Sequence, residues 1–278
     1  MGVYQQVQDK LQELQIQPKR SLGQNFLISD NVVEKILLTA SSHKPDLIVE
    51  IGPGLGSLTE GLIGITKNLK LIELDNVFFN YWKSRGLDIV ESDALLFTWD
   101  QYKNFPNRTL VSNLPYQISS RLVIDRSLDL DRFQNMILMF QREVADRITT
   151  KAKSKDYGFL SVIAQSFWKI KSVTDAGPQS FLPPPNVTSR VLHFQRKENP
   201  VSNPKMFFNF IKAGFMQRRK LYLKNIKGFL LDHHFNEDVM KNLVEKHNLK
   251  LMVRAEEITV DQYISLFNDL LTSRDLKP

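Results

Sequence analysis

The chain has 278 residues, 42% of them apolar and 24% charged, and no apolar run reaches the roughly 20 residues that a bilayer span requires. That composition suits a globular protein with one large domain and a small one, and the lack of cysteine excludes disulfides, thiolate metal sites and cysteine nucleophiles. Lysine and arginine number 37 against 30 acids, a formal charge of +7 that makes polyanions the first partners to consider.

The opening "MGVYQQVQDKLQELQIQ" sets Val7, Leu11 and Leu14 at helical spacing until Pro18 stops the pattern. It has no apolar signal core, and Asp9 and Glu13 speak against a transit peptide, so a cytoplasmic location is expected. "ISDNVVEKILLTA" predicts a helix capped by Ser29 or Asp30, with Val33, Ile36 and Leu37 on its buried side. Short apolar runs follow at "LIVEI", "LKLIEL", "LDIV", "RTLVS" and "NMILMF", separated by segments able to hold helices, among them Leu55–Ile65 and Asn76–Ser84. Near-continuous apolar strands alternating with helices predict an α/β fold, a mostly parallel doubly wound sheet. "VTDAGPQSFLPPPNVTSRVLHF" breaks the rhythm and predicts two antiparallel edge strands joined by a proline-rich loop. "QRKENPVSNP" then reads as a linker, and Met206 to about Leu271 as helices alone. Two domains are expected, residues 1–197 and a small all-helical one over 198–278.

"IVEIGPGLGSLTEGL" joins the first of these strands to a helix, with Gly52, Gly54 and Gly56 allowing a tight turn and close approach of a ligand. The third glycine comes one residue too early for a dinucleotide fingerprint, and Glu50, two residues before the first, would repel a pyrophosphate. An acid there suits a ligand carrying an ammonium or sulfonium. Glu73 ends the next strand about 20 residues past the loop, where a carboxylate can take both hydroxyls of a ribose. Asp93, after the third strand, offers an acceptor to an adenine amino group. Three acids at three successive strand ends, on the edge where open parallel sheets bind ligands, together describe S-adenosylmethionine.

The fourth strand ends in "NLPY". An aromatic amine such as adenine's is a poor nucleophile because its lone pair is delocalised, and neutral acceptors must hold its N–H bonds while the nitrogen pyramidalises. The Asn113 side-chain oxygen and the Leu114 carbonyl can do so, Pro115 stiffens the loop, and Tyr116 offers a ring face to an extruded base.

At this point the chain resembles the ribosomal RNA adenine dimethyltransferases of the KsgA type. The likeness runs through "PKRSLGQNFL", "EIGPGLGSLT", "LIELD", "SDAL", "NLPYQIS", "FQREVADRI", "YGFLSV", "FLPPPNVTSRV" and "FMQRRKLYLKN", in family order over nearly the whole length. The resemblance implies a Rossmann-like, S-adenosylmethionine-dependent methyltransferase domain followed by a helical RNA-binding domain. It implies dimethylation of the 6-amino group of two adjacent adenosines near the 3′ end of small-subunit (16S) rRNA, during maturation of that subunit. It assigns Gln24, Asn25 and Leu27 to the cofactor pocket with Gly52, Glu73, Asp93 and Asn113, and Phe181 to base stacking opposite Tyr116. Gln117 departs from the family pattern, where many relatives have Asn, and bears on substrate fit.

In the tail, Lys212, Arg218, Arg219, Lys220, Lys224 and Lys227 load one helical region with cations, and Lys151, Lys153 and Lys155 form a basic loop, both suited to phosphates. His233 and His234 point about 100° apart on a helix and have no acids beside them, so no metal site is expected. The expected partner is the small ribosomal subunit or its rRNA, with no membrane, and the protein is expected to be a monomer. Three other readings are a large-subunit methylase of the macrolide-resistance type, a non-catalytic RNA-binding or transcription factor, and a DNA adenine methylase. The "RRKxLxxN" segment disfavours the first, intact Glu73, Asp93 and "NLPY" the second, and the lack of a sequence-reading region the third.

Overall fold

A computed structural model describes the chain except for residue 1 and residues 19–23, 130–132, 199–200 and 276–278. The early part of the "PKRSLGQNFL" motif and part of the linker therefore lie outside the described residues. By their internal contacts the residues form two compact units, one running to Ala145 and adding Ile170–Arg196, the other holding Asp146–Lys169 and everything from Lys197 on.

The first unit is built on a seven-stranded sheet. Its strands, with the elements between them, are α1 (Val3–Glu13), β1 (Phe26–Leu27), α2 (Asp30–Ser42), β2 (Leu47–Ile51), α3 (Thr59–Leu62), β3 (Leu69–Glu73), α4 (Asn76–Ser84), β4 (Asp88–Glu91), β5 (Arg108–Ser112), α5 (Tyr116–Leu128), β6 (Asn135–Gln141), α6 (Arg142–Thr149), α7 (Phe159–Phe167), β7 (Trp168–Ala176), β8 (Phe181–Leu182) and β9 (Ser189–Arg196). The sheet order is β4-β3-β2-β5-β6-β9-β7, while β1 and β8 form a separate pair. From β4 to β6 all pairings are parallel, and β9 runs antiparallel to β6. Strands β2, β5 and all but the last residue of β6 are buried along their length, which is why they read as apolar runs rather than alternations. Chain order reverses between β2 and β5, where register sets Glu50 opposite Val111, so their carboxyl ends open a crevice side by side.

Four expectations change here. The helix expected over Leu55–Ile65 shrinks to one turn, α3, flanked by Gly56 and Gly64 and weakened from within by Gly61. Neither Ser29 nor Asp30 caps α2 with its side chain; the Asp30 carboxylate instead accepts the Val3 N–H of α1 at 2.8 Å. The loop expected between the late strands contains β8, whose residues pair antiparallel with β1, Phe181 opposite Leu27 and Leu182 opposite Phe26. Asp146–Lys169, expected in the first domain, gathers with the C-terminal helices.

In that second unit α8 (Pro204–Gly214), α9 (Tyr222–Asp232), α10 (Glu237–Lys246) and α11 (Val260–Asp275) enclose a cluster of rings around Phe207, Phe210, Tyr263 and Phe267. The earlier segment joins through Tyr157, buried, whose hydroxyl donates to the Ile258 carbonyl at 2.9 Å, and through Phe159 against Phe208 and Phe167 against Phe207. Aromatic packing and this buried hydrogen bond are among the contacts that hold it there.

Candidate functional site

A cavity of about 380 Å³ opens at the carboxyl ends of the parallel strands. Gln24, Asn25, Leu27, Glu50, Gly52, Gly54, Glu73, Asp93, Asn113, Leu114 and Tyr116 all line it. Residues taken from five separate stretches of chain thus meet on one surface.

The glycine loop after β2 is held from behind. Trp82 Nε1 of α4 donates to the Gly54 carbonyl at 2.9 Å, and Lys10 Nζ of α1 donates to the Leu55 carbonyl at 3.1 Å while lying 5.0 Å from the Trp82 ring. A Cβ on Gly56 would sit 2.4 Å from that ring, so the third glycine serves packing. Gly52 differs. Its φ of +67° favours glycine, and a Cβ there would meet nothing within 4 Å, which leaves the cavity side of the turn open to a ligand.

The acids behave as a graded set. Glu50 is buried, accepts the Thr59 hydroxyl at 2.7 Å, and burial pushes its carboxyl up to about 8, with Glu73 and Glu60 adding repulsion. Glu73 is 7% exposed, and burial raises its pKa too, against three backbone N–H donors. Leu74 and Asp75 donate to Oε1 at 2.8 Å each and Gly54 to Oε2 at 3.3 Å, so the carboxylate is aimed before any ligand arrives. Asp93 uses Oδ1 to accept the Leu95 N–H at 2.8 Å. Its Oδ2 has no protein donor among the described residues.

Asp75 is the acid that sequence reasoning missed. It reads equally as a solvated loop residue, yet it is buried, caps α4 by accepting the Val77 N–H at 3.0 Å and accepts Gln24 Nε2 at 3.0 Å. An aspartate just ahead of the apolar run "NVFFNYW" was the available signal. Phe26 and Phe78, edge to face at 5.8 Å, complete an apolar wall whose pairing nothing local announces.

At the end of β5, Ser112 Oγ donates to the Ile51 carbonyl and ties the two switch-point strands together. Asn113 then donates from Nδ2 to the Asn25 carbonyl at 3.1 Å. That bond fixes the amide and leaves Oδ1 as its acceptor. Tyr116 is the first residue of α5, with Pro115 at the cap. Phe181 does not line the cavity. It is 2% exposed, paired in β8 within the core, and presents no face to a base in this conformation.

The cations lie in the second unit, where the helical region expected to carry them consists of α8, α9 and the turn between them. Arg218, Arg219 and Lys220 occupy the turn between α8 and α9, braced by Asn225, whose Nδ2 donates to the carbonyls of Gly214 at 2.8 Å and Gln217 at 3.0 Å. Arg218 is spent on structure, donating to the Glu256 carboxylate and to the Lys155 carbonyl. Lys153 donates its backbone N–H to the Glu256 carbonyl at 2.8 Å, so the basic loop and the basic turn are fastened together. Lys151, Lys153, Lys155, Arg219, Lys220 and Lys224 are exposed, with no ion pair among the described residues. No group of three or more His, Asp or Glu able to hold a metal gathers among the described residues, and no helix among them is long and apolar enough to cross a membrane.

Residues 16–271 match the family described as ribosomal RNA adenine dimethylase. The chain is 47% identical over 252 residues to the ribosomal RNA small subunit methyltransferase A of Bdellovibrio bacteriovorus, covering 91% of this chain and 92% of that one. It is 37% identical over 262 residues to the protein of the same name from Sulfurihydrogenibium, covering 91% and 96%. A dimethyladenosine transferase from Plasmodium falciparum shares the fold at a TM-score of 0.75, with 23% identity over 90% of this chain and 98% of that one. The 23S rRNA methyltransferase ErmE does so at 0.63, with 19% identity over 88% and 99%.

Proposed function

The chain belongs to the ribosomal RNA adenine dimethylase family, and from that premise we propose that it dimethylates the 6-amino groups of two adjacent adenosines near the 3′ end of small-subunit rRNA, using S-adenosylmethionine. The observation that carries this reading is the convergence on one cavity of Glu73, Asp93 and Asn113, each of which carries side-chain acceptor oxygens. The donor chemistry fits the cofactor. Glu73 suits a ribose diol, the unmatched Oδ2 of Asp93 an adenine amine, and the open side of Gly52 a chain that must pass close to the backbone. Glu50 supplies a carboxyl able to ionise against a positive charge, with Gln24, Asn25, Leu27 and Gly54 walling the same cavity.

When bound, S-adenosylmethionine supplies an electrophilic methyl group. The protein's part is to present the nucleophile. Asn113 Oδ1 and the Leu114 carbonyl accept the N–H bonds of the target amine and draw its lone pair out of conjugation; neither needs to be a base. Tyr116 gives the base a ring to rest on. The helical unit holds RNA phosphates through Lys151, Lys153 and Lys155 of its 151–155 loop and through Arg219, Lys220 and Lys224, while Arg218 shapes that surface. The protein works as a cytoplasmic monomer.

Purified protein incubated with labelled cofactor and either small or large ribosomal subunits lacking the modification tests this directly. Dimethyladenosine is expected in small-subunit RNA; label confined to the large subunit would overturn the assignment.

A further inference from the structure

Tyr116 is tied at its tip. Its Oη lies 2.7 Å from Ser189 Oγ, across 73 residues of chain. Burial pushes the phenol up, so it stays neutral and the contact is a bond between two hydroxyls. Ser189 itself is fully buried and cannot follow a moving partner. It opens β9 opposite Gln141, the last residue of β6, and the next peptide is fixed as well, since Arg142 donates its backbone N–H to the Thr188 carbonyl at 2.9 Å. On its other side Arg190 forks onto Asp175 through Nε at 2.5 Å and a second nitrogen at 3.0 Å, holding that carboxyl below the usual range. The neck of the 177–188 loop is thus closed and stiff, and Ser189 is a fixed post.

A tyrosine standing at the first turn of a helix, partly exposed and facing a cavity, has two side-chain torsions to settle. The bond from its hydroxyl to Ser189 constrains both. We propose that Ser189 is a positioning residue for methyl transfer: its hydroxyl fixes the plane of the Tyr116 ring, and with it the angle at which the target adenine presents its amine to Asn113. This rests on the functional reading above. It also explains why a buried serine sits where an apolar residue would pack without needing a partner.

Removing either hydroxyl should free the ring without removing it. Ser189→Ala and Tyr116→Phe are each expected to lower kcat about 3- to 10-fold, the worth of one ordinary hydrogen bond. KM for the subunit should stay within about twofold, because phosphate contacts carry most RNA affinity. Cofactor affinity measured by calorimetry should not move. The double variant should be no slower than the slower single one, since both remove the same bond. Tyr116→Phe reports on the bond even if the buried substitution fails to fold. Wild-type turnover in a folded Ser189→Ala protein, or in Tyr116→Phe, overturns the role, as do losses that multiply in the double variant. A wild-type protein that leaves no dimethyladenosine in either subunit overturns the functional reading, and the role of Ser189 with it.

Discussion

The acids at the sheet edge and the cations of the helical unit are both candidate binding groups, yet the protein holds them in opposite ways. Glu73 is buried and aimed by three backbone donors, and Glu50 is buried against a single hydroxyl. Arg219, Lys220 and Lys224 are exposed side chains with no ion pair among the described residues. The difference follows from what each would meet. A small ligand with one correct pose rewards groups whose orientation is settled before binding, even at the cost of burying charge. A phosphate backbone offers many nearly equivalent oxygens, and mobile cations bind it through released counterions without fixed geometry. Fixed groups should therefore lose rate or affinity steeply when changed, and the exposed cations gradually and in proportion to salt.

The largest effect is expected at the stiffest site. Asn113→Ala removes an acceptor whose amide is locked by its bond to Asn25, and should lower methyl transfer about 10²–10³-fold. Cofactor affinity should change far less, because the acceptor matters most as the nitrogen pyramidalises. Single-turnover rates beside calorimetry separate the two. Equal losses in both would place Asn113 on the cofactor rather than the amine.

Glu50 exposes the cost of burial. Between its ordinary value of 4.5 and about 8, the folded chain keeps a proton that the unfolded chain has released. Raising pH through that window therefore favours unfolding, by something on the order of a few kcal/mol. Denaturant titrations of ligand-free protein should show stability falling from about pH 5 to about pH 8, and Glu50→Gln should flatten that fall. A slope unchanged by the substitution would mean that another group carries it.

Glu73→Ala should weaken cofactor binding by roughly 1–3 kcal/mol, the cost of leaving charge-assisted bonds unmade. Asp75→Ala is the informative control. Losing the α4 cap should cost about 1 kcal/mol of stability, with a smaller effect on affinity. If Asp75→Ala weakened the cofactor more than Glu73→Ala, the acid missed in the sequence would be the principal ligand.

What the sequence made legible was what depends on near neighbours. "LIVEI" and "RTLVS" are strands to the residue and Asn76–Ser84 a helix to the residue, because a buried parallel strand and a helical face each print their own pattern. The acids were legible because each lies at or within two residues of a strand's carboxyl end: Glu73 closes β3, Glu50 is one residue short of the end of β2, and Asp93 follows β4. The pairing of β1 with β8 was not: Phe26 and Leu27 meet Leu182 and Phe181 from far along the chain, and two residues on each side are too few for any periodicity. The burial of Phe181 follows from that pairing and was hidden with it. The Tyr157 hydroxyl that recruits residues 146–169 to the helical unit is likewise bonded to a distant carbonyl.

The smallest effect separates two neighbouring arginines. The sequence treats Arg218 and Arg219 alike, as cations of one basic run. The structure does not: Arg218 is engaged by Glu256 and the Lys155 carbonyl, whereas Arg219 has no ion pair among the described residues. A paired arginine contributes little further charge to a phosphate, because its own carboxylate offsets it. Replacing Arg219, Lys220 and Lys224 together should lower RNA affinity and reduce the slope of log K against log salt by roughly 0.7–0.9 for each phosphate no longer neutralised. Arg218→Ala alone should leave that slope nearly unchanged. Its expected mark is local: faster amide exchange in the 151–155 loop, whose fastening to the basic turn it breaks. Binding measured at several salt concentrations, with exchange on the same proteins, distinguishes the two. If Arg218→Ala flattened the slope by a full phosphate's worth, as each exposed cation is expected to, its bond to Glu256 would have to open when RNA binds, and the division between engaged and exposed groups would fail at the residue where it is drawn most finely.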